Sequence, residues 1–132
     1  TSPGIAHPML SGRAPGYSVP CIHFHEVQSL GSDTVLLAGN DHTPILAIAC
    51  SSGSVDFWGT QYHPELTLAD IAAYARGGTF GNVDALIANL EVGDTDANAA
   101  AALGTSLTEL ANRTLELQNW LAHVRATRAA LG

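Results

Sequence analysis

Between positions 34 and 61, apolar residues occur in short runs or alternate with polar ones, as is typical of β-strands. Clusters of Gly, Ser, Asp and Asn separate these stretches, and such clusters favour turns. The pattern therefore predicts three strands, at 34–38, 44–50 and 55–61. Because the connections are short, we expect neighbouring strands to be antiparallel.

An earlier stretch, Pro20–Val27, also alternates. Residues two apart on a strand point to the same face, so Cys21, His23 and His25 are expected to share one face. The pattern predicts a fourth strand here.

After Glu65 the apolar spacing changes to that of helices. Thr67 and Asp70 have the spacing of a capping box, and the helix they open is expected to end at Gly77–Gly78. Asn82 is expected to cap a second helix. Ser106–Glu109 resembles another capping box and is predicted to open the longest helix. The predicted apolar stripe of that helix comprises Leu107, Leu110, Thr114, Leu117, Leu121 and Val124.

These patterns divide the 132 residues, which correspond to one domain or part of one, into three parts. Residues 1–18, rich in Pro and Gly, are expected to be a connector. Residues 19–65 form a strand-rich part, and residues 66–132 form C-terminal helices. The sequence therefore predicts the α/β class.

Composition narrows the possible partners. The chain is 46% apolar, which favours a folded protein over a disordered one. It has twelve acidic residues against five Arg and no Lys, giving a net charge of −7. This balance argues against nucleic acid or an anionic membrane as a partner. The two Cys lack zinc-site or redox-motif spacing, and no membrane span or signal peptide is evident, so we expect a cytoplasmic protein.

The chemistry is concentrated at the end of the third predicted strand, where His63 and Glu65 flank Pro64. Residues i and i+2 of an extended chain point to the same side, and a modest bend brings the carboxylate onto the imidazole. Pro64 restricts the backbone on both sides of the pair. A His oriented by a carboxylate is two thirds of a nucleophile–base–orienter triad. A metal-dependent hydrolase that uses His23, His25 and His63, with Glu65, remains an alternative.

Four segments resemble class I glutamine amidotransferases, in particular the free-standing proteins similar to the amidotransferase domain of GMP synthetase. The segments are Phe57–Glu65, Cys21–Val27, His7–Gly12 and Arg113–Leu121. The resemblance implies a flavodoxin-like, doubly wound α/β fold, of which this chain is the C-terminal part. It also implies a Cys–His–Glu triad that hydrolyses the side-chain amide of glutamine, with no cofactor.

In that family, His63 would be the general base and Glu65 its orienter. The segment containing Ile22, His23, Phe24 and His25 would line the bound substrate. Ammonia would pass to a synthetase partner. Phe24 replaces a small residue and His25 replaces a common Asp, so the expected substrate is glutamine or a related small amide.

The family's nucleophile lies in a Gly-x-Cys-x-Gly turn, and neither Cys21 nor Cys50 has flanking glycines. The nucleophile is therefore expected on another chain or segment, joined to this one through an extensive apolar interface in a hetero-oligomer. This chain alone is predicted to be inactive. The alternative is a non-catalytic amidotransferase-like subunit with a structural or regulatory role.

Overall fold

The computed structural model describes residues 1–78 and 80–132, with all side chains in these ranges except those of Asp94 and Leu131. The chain forms two compact units. The first unit, which contains the sheet, combines 1–15, 23–62 and 115–132. The second, helical unit combines 16–22 and 63–114.

The first unit is built on a three-stranded antiparallel sheet in the order β1-β2-β3. Its strands are β1 (Thr34–Ala38), β2 (Ala47–Ser52) and β3 (Val55–Thr60). Ser52 pairs with Val55 across a two-residue turn in which Gly53 has a φ of 59°, and this left-handed conformation favours Gly. The three predicted strands and their antiparallel pairing are confirmed.

One face of this sheet packs against the C-terminal helix. Ala49 pairs with Trp58 across β2 and β3, so the two side chains share a face. The Trp58 ring packs edge-on against Trp120 of the C-terminal helix, with 5.1 Å between ring centroids. In contrast, Val55 and Phe57 of β3 are more than half exposed.

The expected connector at 1–18 contains a helix, α1 (Ser2–Ala6), and a 3-10 turn at Pro8–Leu10. The Thr1 hydroxyl caps α1 by accepting from the Gly4 amide at 3.0 Å. A Cβ on Gly4 would lie 2.0 Å from the Leu37 carbonyl oxygen, so α1 can approach β1 this closely only with Gly at position 4. In the 3-10 turn, Met9 and Leu10 are buried.

The second unit contains α2 (Leu68–Gly77), α3 (Asp84–Thr95), α4 (Ala97–Leu103), α5 (Thr105–Thr108) and α6 (Leu110–Arg113). The capping box predicted at Thr67 and Asp70 is confirmed. Hydrogen bonds from the Thr67 hydroxyl and amide lower the pKa of the Asp70 carboxyl. The buried residues Ala72, Ala75 and Ile87 of α2 and α3 form the core of this unit.

Three sequence predictions are wrong in detail. Asn82 does not cap α3, because Val83 occupies the N-cap position. The box at Ser106–Glu109 does not open the longest helix, because Glu109 has an extended backbone that separates α5 from α6. The longest helix, α7, spans Leu115–Leu131. Two members of the predicted stripe, Leu117 and Leu121, are exposed on it.

The strand predicted at Pro20–Val27 is also absent from the described structure. The Pro20 carbonyl instead accepts a hydrogen bond from the His63 amide at 2.8 Å. Phe24, in the middle of this segment, is 66% exposed. Alternation gives a strand only where a neighbouring strand pairs with it, and here the Pro20 carbonyl is bonded to the distant His63 instead.

The α/β class is confirmed, whereas the doubly wound, flavodoxin-like arrangement stays a prediction. No helix among the described residues is long and apolar enough to cross a membrane.

Buried charges connect the three segments of the first unit. Arg13 donates to both carboxylate oxygens of Glu116, at 2.9 and 2.7 Å, and the Tyr62 hydroxyl donates to the same carboxylate at 2.8 Å. The Arg13 and Glu116 side chains are each only 3% exposed. Removing one member of such a pair leaves a buried charge poorly compensated, which is costly.

We therefore expect Glu116→Gln to lower the free energy of unfolding by about 3 kcal/mol or more. The matched control is Glu91→Gln, which removes the exposed ion pair with Arg76 in the second unit and should cost less than about 1 kcal/mol. Urea unfolding of the full 132-residue chain measures both. Equal, small losses in the two variants would contradict the structural role of Glu116.

Candidate active site

The turn that follows β3 brings His63 and Glu65 together. The His63 carbonyl accepts from the Leu66 amide at 3.2 Å, which closes a turn with Pro64 at its second position. Proline favours this position because its fixed φ matches the turn. Pro64 is itself buried, so the turn is anchored between its two polar residues.

Within this turn, Nδ1 of His63 lies 2.8 Å from Oε1 of Glu65. The contact predicted from the spacing of the two residues is therefore present. Both side chains keep substantial exposure, 37% for His63 and 52% for Glu65. A carboxylate on Nδ1 fixes the ring orientation and leaves Nε2 as the nitrogen that can exchange a proton with a reacting group.

The other ring nitrogen of His63, Nε2, contacts a backbone carbonyl. Nε2 of His63 lies 3.2 Å from the Ile22 carbonyl oxygen. A carbonyl and a carboxylate are both acceptors, so the two contacts are simultaneous hydrogen bonds only when both ring nitrogens carry protons. The site thus matches the imidazolium, which is the form that a general base has after taking a proton.

The segment Pro20–Ile22 holds this arrangement from one side. The Pro20 carbonyl fixes the main chain of His63, and the Ile22 carbonyl fixes its ring. Ile22 also packs against the buried core formed by α2 and α3. The predicted substrate residue Ile22 therefore contacts the catalytic candidate through its backbone, a contact that side-chain patterns cannot reveal.

The other predicted substrate residues lie in the first unit. His23, Phe24 and His25 belong to the irregular segment before β1, in which Phe24 and His25 are exposed. Their assignment to substrate binding stays a prediction. In the part of the chain that the structure describes, no three His, Cys, Asp or Glu side chains are grouped to hold a metal.

Neither cysteine has the features of an activated nucleophile. Cys50 lies within β2 and is partly buried. Cys21 is exposed as a residue, but partial enclosure of its thiol raises its pKa. A raised pKa lowers the thiolate fraction at neutral pH, and the thiolate is the reactive form.

A second His–carboxylate pair, which the sequence did not reveal, lies in the first unit. Nε2 of His123 on α7 is 2.5 Å from Oδ2 of Asp56 on β3. The His123 ring stacks on Trp58 with 4.7 Å between ring centroids. The two members are 67 residues apart, so no local motif could have indicated them.

Comparison with known proteins gives one partial similarity. The chain is 41% identical over 76 residues to a gamma-glutamyl-L-1-hydroxyisopropylamide hydrolase from a Pseudomonas species. The aligned part covers 58% of this chain and 25% of that protein. No protein-family model matches the chain. No solved structure matches it either.

The state of Cys21 can be measured directly. Because its pKa is raised, we expect its alkylation by iodoacetamide at neutral pH to be slower in the folded chain than in the chain unfolded in urea. Peptide mass spectrometry separates Cys21 from Cys50, and Cys21→Ser provides the blank. Faster alkylation of Cys21 in the folded chain would indicate an activated thiol and would make it a candidate nucleophile.

Proposed function

We propose that this chain supplies the general base His63 and the orienting carboxylate Glu65 of a Cys-dependent amide hydrolase. The cysteine nucleophile is provided by another chain or segment. The observation that carries the proposal is the 2.8 Å contact between Nδ1 of His63 and Glu65, which leaves Nε2 for the proton of a thiol.

The proposed reaction has two stages. Nε2 of His63 takes the thiol proton as the thiolate attacks the amide carbonyl, and the resulting imidazolium then protonates the departing amine or ammonia. This leaves a thioester. His63 next deprotonates a water molecule that attacks the thioester, and it returns that proton to the cysteine as the acid product leaves.

Glu65 and Ile22 have defined parts in this cycle. Glu65 keeps Nδ1 protonated, so that Nε2 is the basic nitrogen, and it stabilises the imidazolium. The Ile22 carbonyl accepts from Nε2–H in that same protonated state. The described contacts of both ring nitrogens therefore support the charged form of His63 that this cycle requires.

The proposed substrates are γ-glutamyl amides. The partial relative is named for hydrolysis of such an amide, in which the γ-glutamyl group carries an alkyl amine rather than ammonia. This class includes glutamine, the substrate that the family resemblance implies, and it also includes bulkier amides. The acceptor of any released ammonia would be a synthetase partner.

The test uses the complex, or the longer polypeptide, in which this chain meets its cysteine partner. We expect His63→Ala to lower kcat for γ-glutamyl amides by about 10³-fold, because it removes the general base. Glu65→Gln should cause a smaller loss, since the ring stays but its orienting charge is removed. Amine or ammonia release measures both.

The matched control is His42→Ala, which removes an exposed histidine from the turn after β1 and should leave the rate unchanged. If the assembly hydrolyses the amide equally well with His63→Ala, the catalytic proposal is wrong. That result would support the non-catalytic, structural or regulatory role.

A further inference from the structure

A cluster of aromatic and titratable side chains joins three segments of the first unit. Trp58 on β3 is its centre, with His7 edge-on at 5.1 Å, Trp120 edge-on at 5.1 Å and His123 stacked at 4.7 Å between ring centroids. His7 comes from the N-terminal segment, and Trp120 and His123 come from α7. The proposed chemistry at His63 uses none of these residues.

A hydrogen bond from a nearby backbone amide selects one protonation state of His7. Its Nδ1 accepts a hydrogen bond from the Met9 amide at 3.2 Å and thereby caps the 3-10 turn at Pro8–Leu10. A nitrogen that accepts cannot carry a proton, so this cap exists only while Nδ1 is unprotonated. The 3-10 turn that this cap stabilises contains Met9 and Leu10, which are buried in the core at 2% and 6% exposure.

The His123–Asp56 pair responds differently to a proton. The Asp56 carboxylate accepts, so Nε2 of His123 donates, and it can donate in both the neutral and the charged ring. Protonation of the other ring nitrogen, Nδ1, therefore leaves this bond intact. The acid-labile contact of the cluster is the one at His7.

We propose that His7 and the ring cluster around Trp58 form a proton-sensitive joint. At neutral pH the joint ties the N-terminal 3-10 turn, β3 and α7 together. When Nδ1 of His7 takes a proton, the cap to Met9 is lost, and a cation faces the cluster. The 3-10 turn then loosens from α7.

The charges around His7 determine the direction of the response. Burial lowers the pKa of His7 below its ordinary value of 6.5, Asp56 from β3 opposes that shift, and His123 from α7 adds to it. No other ionisable side chain is present in α1, the 3-10 turn or β3. On α7, Glu116 is bonded to Arg13 and Tyr62. A lowered pKa means that the unfolded chain binds the proton more readily, so stability present above 6.5 is lost as the pH falls.

The chain provides its own reporter for the test. Its two tryptophans, Trp58 and Trp120, both belong to the cluster, so the intrinsic fluorescence of the full 132-residue chain reports on the joint. We expect the urea midpoint to fall between about pH 7.5 and about pH 5.5. In His7→Asn, whose side-chain oxygen can cap the same amide without titrating, the fall should shrink by about half or more.

The control is His42→Asn, the same exchange at an exposed histidine outside the cluster, which should keep the full fall. An undiminished fall in His7→Asn would overturn the proposal. If His7→Asn fails to fold, ring nitrogen resonances of the wild-type chain decide. The proposal is supported if neutral His7 is the Nε2–H tautomer and if its titration has the same midpoint pH as the pH-dependent change in tryptophan fluorescence of the folded chain. An Nδ1–H tautomer at neutral pH overturns it.

Discussion

The first unit depends on the burial of one carboxylate. Glu116 is 3% exposed, and removing such a charge from water is tolerable only with well-aligned partners. Arg13 and Tyr62 provide them, although they are 103 and 54 residues away in sequence. The carboxylate thus fixes the N-terminal segment, the end of the sheet and α7 with one set of hydrogen bonds.

Elements whose signals are local could be predicted from the sequence. Hydrophobic alternation and Gly53 were enough for the β-hairpin, and Thr67 and Asp70 for the start of α2, because each depends on neighbours within a few residues. Elements fixed by distant partners could not be predicted. The residues taken for a connector fold because Gly4 fits against Leu37, and alternation at Pro20–Val27 produced no strand because its backbone bonds go to His63.

The candidate site likewise has one contact that the sequence predicts and one that it does not. The contact between His63 and Glu65 follows from their spacing across Pro64, since a turn at a proline is a local property. The Ile22 carbonyl beside Nε2 is a backbone acceptor 41 residues away in sequence. Every residue has such a carbonyl, so residue types cannot predict this contact. Similarly, the hydrogen bond from Met9 to His7 depends only on local chain geometry, whereas the rings around Trp58 come together through the tertiary fold.

Two His–carboxylate pairs are present among the described residues, and they differ in which ring nitrogen meets the carboxylate. In a base of a catalytic triad, the carboxylate holds Nδ1 and the outer nitrogen, Nε2, meets the nucleophile. The His63–Glu65 pair has this polarity. In the other pair, the Asp56 carboxylate accepts from Nε2 of His123, so the outer nitrogen already has a hydrogen-bond partner. The His123 ring is also stacked on Trp58. The polarity of the pair at Pro64 is thus compatible with the proposed proton transfer, whereas the pair at Asp56 links β3 to α7.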